Sequence, residues 1–374
     1  MSAIPRHHIA HLTSVHQRYD TRIFWKLCNS LAANGYAVSL VVADGKGDEH
    51  CDNGVHILDV GRSGGRLGRM VKATRQVKAQ AFALNADLYH LHDPELIPVG
   101  LALKRHGKRV VFDFHEDVPK QLLSKPYLNR WALRLLSAAF AKYERAKAPR
   151  FDAVIGATPG ITEKFRETAK RVANINNFPR IGELESERPW EGKADEIAYV
   201  GGISAIRGIV PLIRSLERIR SGAKLNLVGR FEDKELESVV KNSAGWRNVH
   251  DHGFQDRAGV RDVLGRSMAG LVTLRPTPAY LDSLPVKMFE YMAAGIPVIA
   301  SDFPLWREIV LGRDCGLCVD PDDPDAIAAA IDALISDRKR AEQMGRNGRA
   351  AVQEVFNWSV EEEKLLQLYA DILA

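Results

Sequence analysis

The chain has 374 residues, of which 45% are hydrophobic and 26% charged; this globular composition excludes a predominantly disordered chain, and the length suits two domains of roughly 150–200 residues. No apolar run approaches the ~20 residues of a transmembrane helix and no signal-peptide core follows the first residues, so we expect a cytoplasmic protein. The net charge of +5 is uneven, because residues 1–180 hold 28 Lys and Arg against 16 Asp and Glu. This basic half favours an anionic partner.

Short apolar runs alternate with helical patterns along the first half of the chain. The predicted strands are Ile9–Leu12, Ala37–Ala43, Leu88–His92, Arg109–Phe114 and Ala153–Gly156. The predicted helices are Arg22–Asn34, Arg66–Leu84, Glu95–His106 and Pro126–Ala148. Buried strands separated by helices indicate a parallel sheet covered on both faces.

The same alternation restarts in the second half. The predicted strands are Ile197–Val200, Lys224–Val228, Leu271–Leu274, Pro297–Ala300 and Leu317–Val319. The predicted helices are Ile209–Arg220, Lys234–Lys241, Val286–Ala294, Pro324–Ser336, Arg340–Val355 and Ser359–Leu373. The sequence therefore predicts an α/β protein of two Rossmann-like, doubly wound domains.

The expected domain limits follow from this pattern. The first domain covers 1–180 and is joined by a returning helix at 358–374, and the second covers 194–357. Between them, the segment 176–193 contains two prolines and many charges and is predicted to be the linker.

The most informative stretch combines a polar loop, a helix opened by Pro285, a stop at Gly295 and a buried strand. Backbone N–H groups at such a helix start can hold a pyrophosphate. Asp282 and Glu290 lie eight residues apart, one in the loop and one about a turn and a half into the helix, so both could face one extended ligand. Alternatively, Asp282 caps the helix and Glu290 belongs to a solvated face.

This stretch resembles the E-x7-E region of the retaining glycosyltransferases of family 4, which have the GT-B fold of two Rossmann-like domains facing across a cleft. The resemblance implies that Glu290 binds the nucleotide ribose. It places Asp282 near the donor sugar, at a position where the family has Glu. Ser283 and Lys287 belong to the same stretch and are expected to bind the donor.

The glycine-containing loop after the first strand of the second half is similar to the family's loop, in which an Arg and a Lys meet the diphosphate. Arg207 occupies the Lys position and can supply the same charge through a bidentate fork. Gly201 and Gly202 belong to this loop, and Gly202 occupies the usual Arg position, so one cation is missing. Lys287 or Arg230 is expected to replace it.

In the first half, the segment ending in His115 resembles the family's strand-end histidine, which meets the donor sugar across the cleft. His16 lies where the family has its first flexible loop and is expected to bind substrate. The residues to which the resemblance assigns catalysis are His115, Arg207 and Asp282.

No metal site or cofactor is expected. Histidine pairs at His7/His8, His90/His92 and His250/His252 lack an accompanying cluster at zinc spacing. The D-x-D in Asp320–Asp325 is interpreted as a turn and helix cap, and Cys315 and Cys318 follow a pattern unlike a redox pair.

Basic residues alternate with Trp131 and other apolar residues over 125–150. This pattern fits an amphipathic helix at an anionic membrane, at the inner face of the cell membrane, and fits equally an ordinary surface helix.

The resemblance implies that a sugar is transferred, with retention of configuration, from a nucleotide-diphosphate sugar to a saccharide acceptor. The acceptor is expected to be linked to a lipid, such as a polyprenyl carrier, and to belong to polysaccharide or lipopolysaccharide assembly. Nucleic acid is not an expected partner. The alternatives are a GT-B enzyme that makes a small soluble glycoside, a sugar-nucleotide epimerase, and a binding module without turnover.

Overall fold

The computed structural model describes residues 7–62, 64–123, 129–186 and 188–374. The chain forms two compact units. Unit 1 extends to Asn177 and includes Glu361–Ala374, and unit 2 comprises Phe178–Val360. Each unit is a doubly wound α/β domain, so the predicted fold class is confirmed.

Unit 1 contains an eight-stranded sheet in the order β3-β4-β2-β1-β5-β6-β7-β8. Its strands are β1 (His8–Leu12), β2 (Ala37–Val42), β3 (Glu49–His50), β4 (Val55–Asp59), β5 (Leu88–Leu91), β6 (Arg109–Phe114), β7 (Ala153–Gly156) and β8 (Val172–Asn174). All neighbours pair in parallel except β3, which runs antiparallel to β4 at the edge. The central strands are fully buried, as their apolar sequences predict.

The helices of unit 1 are α1 (Asn29–Ala33), α2 (Gly65–Gly68), α3 (Thr74–Leu84), α4 (Ile97–Arg105), α5 (Val118–Leu123), α6 (Arg130–Lys147) and α7 (Pro159–Glu163). π-Helical turns at Ile23–Cys28 and Arg69–Ala73 lead into α1 and α3. The predicted helices at Arg22–Asn34 and Arg66–Leu84 are therefore present, each with a locally widened turn. The predicted start of α6, at residues 126–128, lies outside the described residues.

Unit 2 contains a six-stranded parallel sheet in the order β11-β10-β9-β12-β13-β14. Its strands are β9 (Glu196–Val200), β10 (Lys224–Val228), β11 (Val249–Gly253), β12 (Ala269–Val272), β13 (Val298–Ser301) and β14 (Gly316–Val319). Its helices are α8 (Ile209–Ser215), α9 (Lys234–Lys241), α10 (Arg257–Arg266), α11 (Val286–Ala293), α12 (Pro304–Val310), α13 (Pro324–Ser336) and α14 (Arg338–Glu354).

Alternate residues of β9 pack in two hydrophobic cores, one on each face of this sheet. Ala198 packs in one core, and Ile197 and Tyr199 pack in the other. This two-sided burial explains why the strand reads as a continuous apolar run rather than as an alternating one.

The chain ends in α15 (Trp358–Leu373), which returns to unit 1. There the Tyr369 hydroxyl lies 2.7 Å from Nδ1 of the buried His90, and the Glu361 carboxylate accepts hydrogen bonds from the backbone and side chain of Asn176. These polar contacts attach the final helix to the first domain at specific positions.

Several elements differ from the predictions. The sequence analysis missed β3, β4, β8, β11, α5, α7, α10 and α12. The helix predicted over Ile209–Arg220 ends at Ser215. The predicted linker is not a free connection, because Phe178 and Leu184 are buried in the core of unit 2.

The two interpretations of the acidic and cysteine motifs agree with the structure. Asp323 accepts hydrogen bonds from the backbone of Asp325 and Ala326 at the start of α13, so the D-x-D stretch does form a helix cap. Burial raises the pKa of Cys315 to about 12 and that of Cys318 to about 11, which suppresses thiolate formation.

Candidate functional site

In each unit the strand order reverses beside the first strand, between β1 and β5 in unit 1 and between β9 and β12 in unit 2. Ligands of open α/β sheets bind outside the carboxyl ends of the strands at such switch points. The residues singled out by the sequence follow these strand ends in both units, and each set is described by itself.

The glycine loop of unit 2 lies tightly against the ends of neighbouring strands. Gly208 has a φ of +78°, and a Cβ atom there would lie 1.8 Å from the carbonyl oxygen of Thr273, just beyond β12. Gly229 has a φ of +153°, and a Cβ there would lie 1.9 Å from the carbonyl oxygen of Gly201. Only glycine permits both approaches, so the loop packs directly against backbone at the switch point.

Two cations from different elements meet at this loop. A Cβ atom built on Gly201 would lie 3.9 Å from both Nζ of Lys287 and Nη1 of Arg207. The Lys287 ammonium stands 3.6 Å from the ring centroid of Tyr199 and is buried without a hydrogen-bond partner among the described residues. Burial, assisted by the charge of Arg207, lowers the pKa of Lys287 to about 7.

The opposing charge near these cations is weak. Oε1 of Glu232 lies 3.9 Å from Nε of Arg207, at the limit of an ion pair, and both side chains are substantially exposed. Arg207 donates only a long hydrogen bond of 3.5 Å to the carbonyl of Gly202. Arg207 is thus only weakly paired within the described part of the chain.

Arg230, the other candidate for the missing cation, is directed elsewhere. Its guanidinium carbon lies 4.6 Å from the ring centroid of Phe254, which is itself 65% exposed. Its backbone carbonyl accepts a hydrogen bond from Ile203 and so helps to hold the glycine loop. The structure therefore places Lys287, rather than Arg230, against the glycines.

Glu290 is buried on α11, and its carboxylate is already engaged. Its Oε1 atom accepts a hydrogen bond of 2.6 Å from Nη1 of Arg257, whose Nε donates to Glu183 over 2.7 Å. Burial opposes the charge on Arg257, but the carboxylates of Glu290 and Glu183 together outweigh it and raise the pKa of the guanidinium. Arg257 and Glu183 were missed by the sequence analysis, because nothing in their local pattern distinguishes them from surface charges.

Asp282 and Ser283 lie in the turn before α11. The N-cap of this helix is Pro285, with no side-chain capping bond, so Asp282 does not occupy the N-cap position. The Ser283 hydroxyl donates to the carbonyl of Tyr280 over 2.9 Å, and the Ser283 carbonyl accepts from the indole of Trp306 over 2.7 Å. Ser283 therefore shapes the turn that presents Asp282.

In unit 1, His16 and His115 come together beyond β1 and β6, with their Nε2 atoms 3.1 Å apart. His16 also contacts Asp93 at 3.3 Å and Asp20 at 3.4 Å. Burial disfavours a charge on His16, but these two carboxylates overcome it and raise its pKa to about 9. Asp93 was missed, although its position directly after a buried strand is a recognisable signal.

A buried polar cluster lies beneath these histidines. Asp113 is fully paired with Arg22 through two hydrogen bonds of 2.8 and 2.9 Å. His11 and His92 share a hydrogen bond of 3.0 Å. Burial lowers the pKa of His11, His90 and His92, so these imidazoles are neutral.

Among the described residues, two sets of three side chains in unit 1 bring possible metal-ligand atoms within 4.8 Å of one another. One set is His11, His90 and His92, and the other is His92, Asp113 and His115. The fold thus adds His11 to a pair that the sequence analysis set aside. Nε2 of His11 and Nε2 of His90 have no hydrogen-bond partner in the described part of the chain, whereas Asp113 is already paired with Arg22. Both sets belong to unit 1, whereas the cations Arg207 and Lys287 belong to unit 2.

A cavity of about 390 Å³ opens beside His16 and His115. Its wall also contains Asp93, Glu95 and Glu144. Among the described residues that line it, there is no Lys or Arg. The cavity of unit 1 therefore differs in charge from the glycine loop of unit 2.

Comparisons with known proteins agree with this architecture. Residues 21–178 match the family model described as Glycosyltransferase Family 4, and residues 181–351 match that of Glycosyl transferases group 1. An α-maltose-1-phosphate synthase of Mycolicibacterium smegmatis is 25% identical over 87% of this chain and 92% of its own length. A phosphatidyl-myo-inositol mannosyltransferase of Mycobacterium leprae is 25% identical over 76% of this chain and 74% of its own.

Solved structures share the fold at low sequence identity. The sucrose-phosphate synthase of Thermosynechococcus elongatus superposes with a TM-score of 0.78 at 21% identity, over 98% of this chain and 99% of that one. Anabaena Alr3699/HepE in complex with UDP-glucose gives a TM-score of 0.74 at 15% identity, over 97% and 99%. The two family models together cover both units, and the chain is therefore a glycosyltransferase of family 4 with the GT-B fold.

Proposed function

We propose that this chain transfers a sugar, with retention of configuration, from a nucleotide-diphosphate sugar bound by unit 2 to a saccharide acceptor bound by unit 1. One observation carries the proposal: the ammonium of Lys287 is buried without a hydrogen-bond partner beside Arg207 at the glycine loop. A buried, unpaired cation is unfavourable unless a ligand completes its surroundings. A diphosphate supplies the missing charge and acceptors.

The remaining donor contacts follow from the strand ends of unit 2. Gly201 and Gly202 expose backbone to the phosphates, and Glu290 holds the ribose hydroxyls with its orientation fixed by Arg257. Asp282, in the turn before α11, faces the donor sugar. Ser283 and Arg230 support this surface through the turn and the glycine loop. The complex of HepE with UDP-glucose supports a nucleotide-sugar donor.

The proposed chemistry is electrostatic. The bond between the anomeric carbon and the diphosphate oxygen breaks, and Arg207 and Lys287 stabilise the negative charge that develops on the leaving group. The acceptor hydroxyl forms its new bond to the anomeric carbon on the same face, and its proton passes to the departing phosphate oxygen. His115 contacts the donor sugar from unit 1. Because side-chain cations hold the diphosphate, the reaction needs no metal ion.

The proposed acceptor is a lipid-linked saccharide of cell-surface polysaccharide or lipopolysaccharide assembly. The likeness to a phosphatidyl-myo-inositol mannosyltransferase supports a lipid-borne acceptor. The exposed apolar face of α6, with Trp131 at 72% and Leu135 at 74%, supports peripheral contact with an anionic membrane at its cytoplasmic face. Within the described ranges, no helix is both long and apolar enough to cross a bilayer.

A thermal-shift screen against UDP-, GDP- and ADP-sugars, in EDTA and then with Mg²⁺ or Mn²⁺, tests the donor site. We expect one nucleotide class to stabilise the protein in EDTA, since no metal is required. Failure of every nucleotide sugar would refute the proposal, and stabilisation that appears only with metal would refute metal independence.

Two of the alternatives, the epimerase and the enzyme for small soluble glycosides, are separated from the proposed function by product analysis with the selected donor. A sugar-nucleotide epimerase consumes the donor without any acceptor, and an enzyme for small soluble glycosides acts on water-soluble acceptors as well as on lipid-linked ones. We expect donor consumption to depend on the acceptor and to be greatest with lipid-linked saccharides. Rapid conversion of the donor alone would favour the epimerase.

A further inference from the structure

The cavity of unit 1 has a chemistry that is unusual for a basic domain. It lies beyond the carboxyl ends of β1, β5 and β6 and reaches the facing sides of α5 and α6. Its volume of about 390 Å³ falls within the roughly 300–1,000 Å³ typical of small-ligand pockets.

The charged groups on its wall are acidic or are already balanced. His16 and Asp93 neutralise each other at 3.3 Å. Glu95 and Glu116 add carboxylates, while the lining residues include no Lys or Arg among those described. An anion that entered this cavity would lose its hydration and meet negative charge, so it would be repelled.

Glu144 provides an independent sign that a ligand binds here. It projects from α6, is 4% exposed and lines the cavity. Its Oε1 atom is buried and has no hydrogen-bond partner in the described part of the chain. A polar atom buried without a partner is rare in folded proteins and calls for an explanation, which a bound ligand supplies.

The surroundings of Glu144 determine what it can offer. Burial raises the pKa of its carboxyl to about 8, with the charge of Asp117 adding to the increase and that of Lys164 opposing it. At neutral pH the side chain is therefore mostly protonated and can both donate and accept a hydrogen bond. A sugar hydroxyl, which also does both, is its natural partner.

We propose that this cavity binds an uncharged, hydroxyl-bearing glycosyl unit of the acceptor, that Glu144 contacts one of its hydroxyls, and that phosphorylated or carboxylated sugars are excluded from it. The inference rests on the proposed function, because it names the part of the acceptor that unit 1 selects. It also implies that the basic residues of this half do not bind an anion inside the cavity, since any anionic part of the acceptor lies outside it.

The test compares matched neutral and charged sugars in saturation-transfer NMR with the full-length protein. Methyl glycosides of glucose, mannose and galactose are the neutral probes, and the corresponding 6-phosphates are the charged ones. We expect at least one neutral glycoside to bind and its phosphate to bind at least tenfold more weakly. Tighter binding of the phosphates, or no binding of any neutral glycoside, would overturn the proposal.

Variants then locate the contact. Glu144→Ala removes the hydrogen-bonding group and is expected to weaken glycoside binding at least tenfold, whereas Glu144→Gln retains a donor and an acceptor and is expected to keep most of it. Glu163→Ala, at an exposed glutamate of α7, is the matched control. Wild-type glycoside affinity in Glu144→Ala would overturn the role of Glu144.

Nucleotide-sugar binding, followed by thermal shift, separates this inference from the proposed function. All three variants are expected to keep the wild-type response, which also shows that they are folded. If the wild type binds no nucleotide sugar, the proposed function fails whatever the glycosides do. If nucleotide sugars bind but glycosides do not, only the cavity inference fails.

Discussion

The glycine loop of unit 2 and the cavity of unit 1 follow equivalent strand ends, but they carry opposite chemistry. At the loop, Arg207 and Lys287 lie close to half-buried glycine backbone, and the carboxylates of Glu232 and Glu290 partly oppose their charges. In the cavity, carboxylates and imidazoles form the polar wall without a Lys or Arg among the described lining residues. The proposed occupants differ accordingly, with a diphosphate at the loop and neutral hydroxyls in the cavity.

This contrast runs against the charge of each half of the sequence. The first 180 residues have a net charge of +12 and the remainder has −7, yet the cationic site lies in the acidic half. In unit 1 many basic side chains are on the outside, as Arg130, Arg134, Lys142 and Arg145 are along α6. The charge of a domain therefore predicts its surface and long-range field, and not the chemistry of its pocket.

Arg207→Ala is expected to have the largest effect, because it removes a cation that stabilises the leaving diphosphate. Losing one such electrostatic contact typically costs about 100- to 1,000-fold in turnover. We expect kcat to fall by this amount and affinity for inorganic pyrophosphate to fall as well. Arg218→Ala, at a surface arginine paired with Asp325, is the control. Near-normal kcat in Arg207→Ala would place the diphosphate elsewhere.

Glu290→Ala is expected to have the next largest effect and to distinguish ribose from phosphate contacts. Hydrogen bonds to a charged group are worth about 1.5–3 kcal/mol, so affinity for the nucleoside diphosphate should fall roughly 10- to 100-fold. Affinity for inorganic pyrophosphate should stay unchanged, since the ribose is absent. Calorimetry with both ligands measures the difference, and Glu235→Ala on α9 is the matched control. Equal losses for both ligands would contradict the ribose assignment.

The lowered pKa of Lys287 predicts pH-dependent donor affinity. With a pKa of about 7 the free side chain loses its charge as the pH rises, and a bound diphosphate restores it by proton uptake. Affinity for the nucleotide sugar, which has no ionisation of its own in this range, should therefore fall about tenfold between pH 7 and pH 8.5. Lys287→Ala should bind more weakly at pH 7 and lose this dependence.

A second substitution sharpens the same test. A Cβ at Gly202 would meet only the flexible ends of Arg207 and Glu232, at 3.0 and 3.2 Å, so an arginine can be placed there with small adjustments. In the Lys287→Ala background, Gly202→Arg should recover part of the donor affinity without its pH dependence, because arginine stays charged. If the folded double variant does not recover donor affinity, a cation at position 202 cannot replace the one at position 287.

The glycine loop of unit 2 and the cavity of unit 1 differ in how much of their structure the sequence predicted. Periodicity predicted the doubly wound fold, and the stretch around Pro285 predicted that Asp282 lies in the loop before α11 and Glu290 in the helix. The sequence left Lys287 and Arg230 as alternatives for the missing cation. Only the fold shows that the Lys287 ammonium lies over the ring of Tyr199, whereas the Arg230 guanidinium lies over the ring of Phe254.

The contacts that escaped prediction join distant segments. Arg257 reaches Glu290 across 33 positions, and His11 meets His92 across 81. The sequence analysis did not single out Glu144, which only the fold places against a cavity. Local periodicity carries no information about such pairings, whereas short apolar strands and loop chemistry are local and were read directly.

The smallest effect on catalysis is expected for the surface of α6, which carries part of the basic charge of unit 1 outside the cavity. Trp131 and Leu135 are largely exposed, and the guanidinium of Arg134 lies 5.3 Å from the Trp131 ring, so apolar and basic groups share one face. Each basic residue near an anionic surface contributes about 1 kcal/mol, screened beyond roughly 8–10 Å at physiological salt. A few such residues and one inserted indole suffice for reversible binding.

Trp131→Ala combined with Arg134→Glu should therefore weaken binding to anionic vesicles several-fold while leaving donor affinity and turnover of a water-soluble acceptor unchanged. Sedimentation with phosphatidylcholine vesicles, with and without phosphatidylglycerol, measures this at low and high salt. Wild-type binding should require the anionic lipid and decrease with salt, and Arg166→Glu, an exposed arginine on the same unit, should bind like the wild type. If the wild type ignores both vesicle types, α6 is an ordinary surface helix. The separation of an acidic cavity from a basic exterior then concerns the acceptor alone, without a membrane.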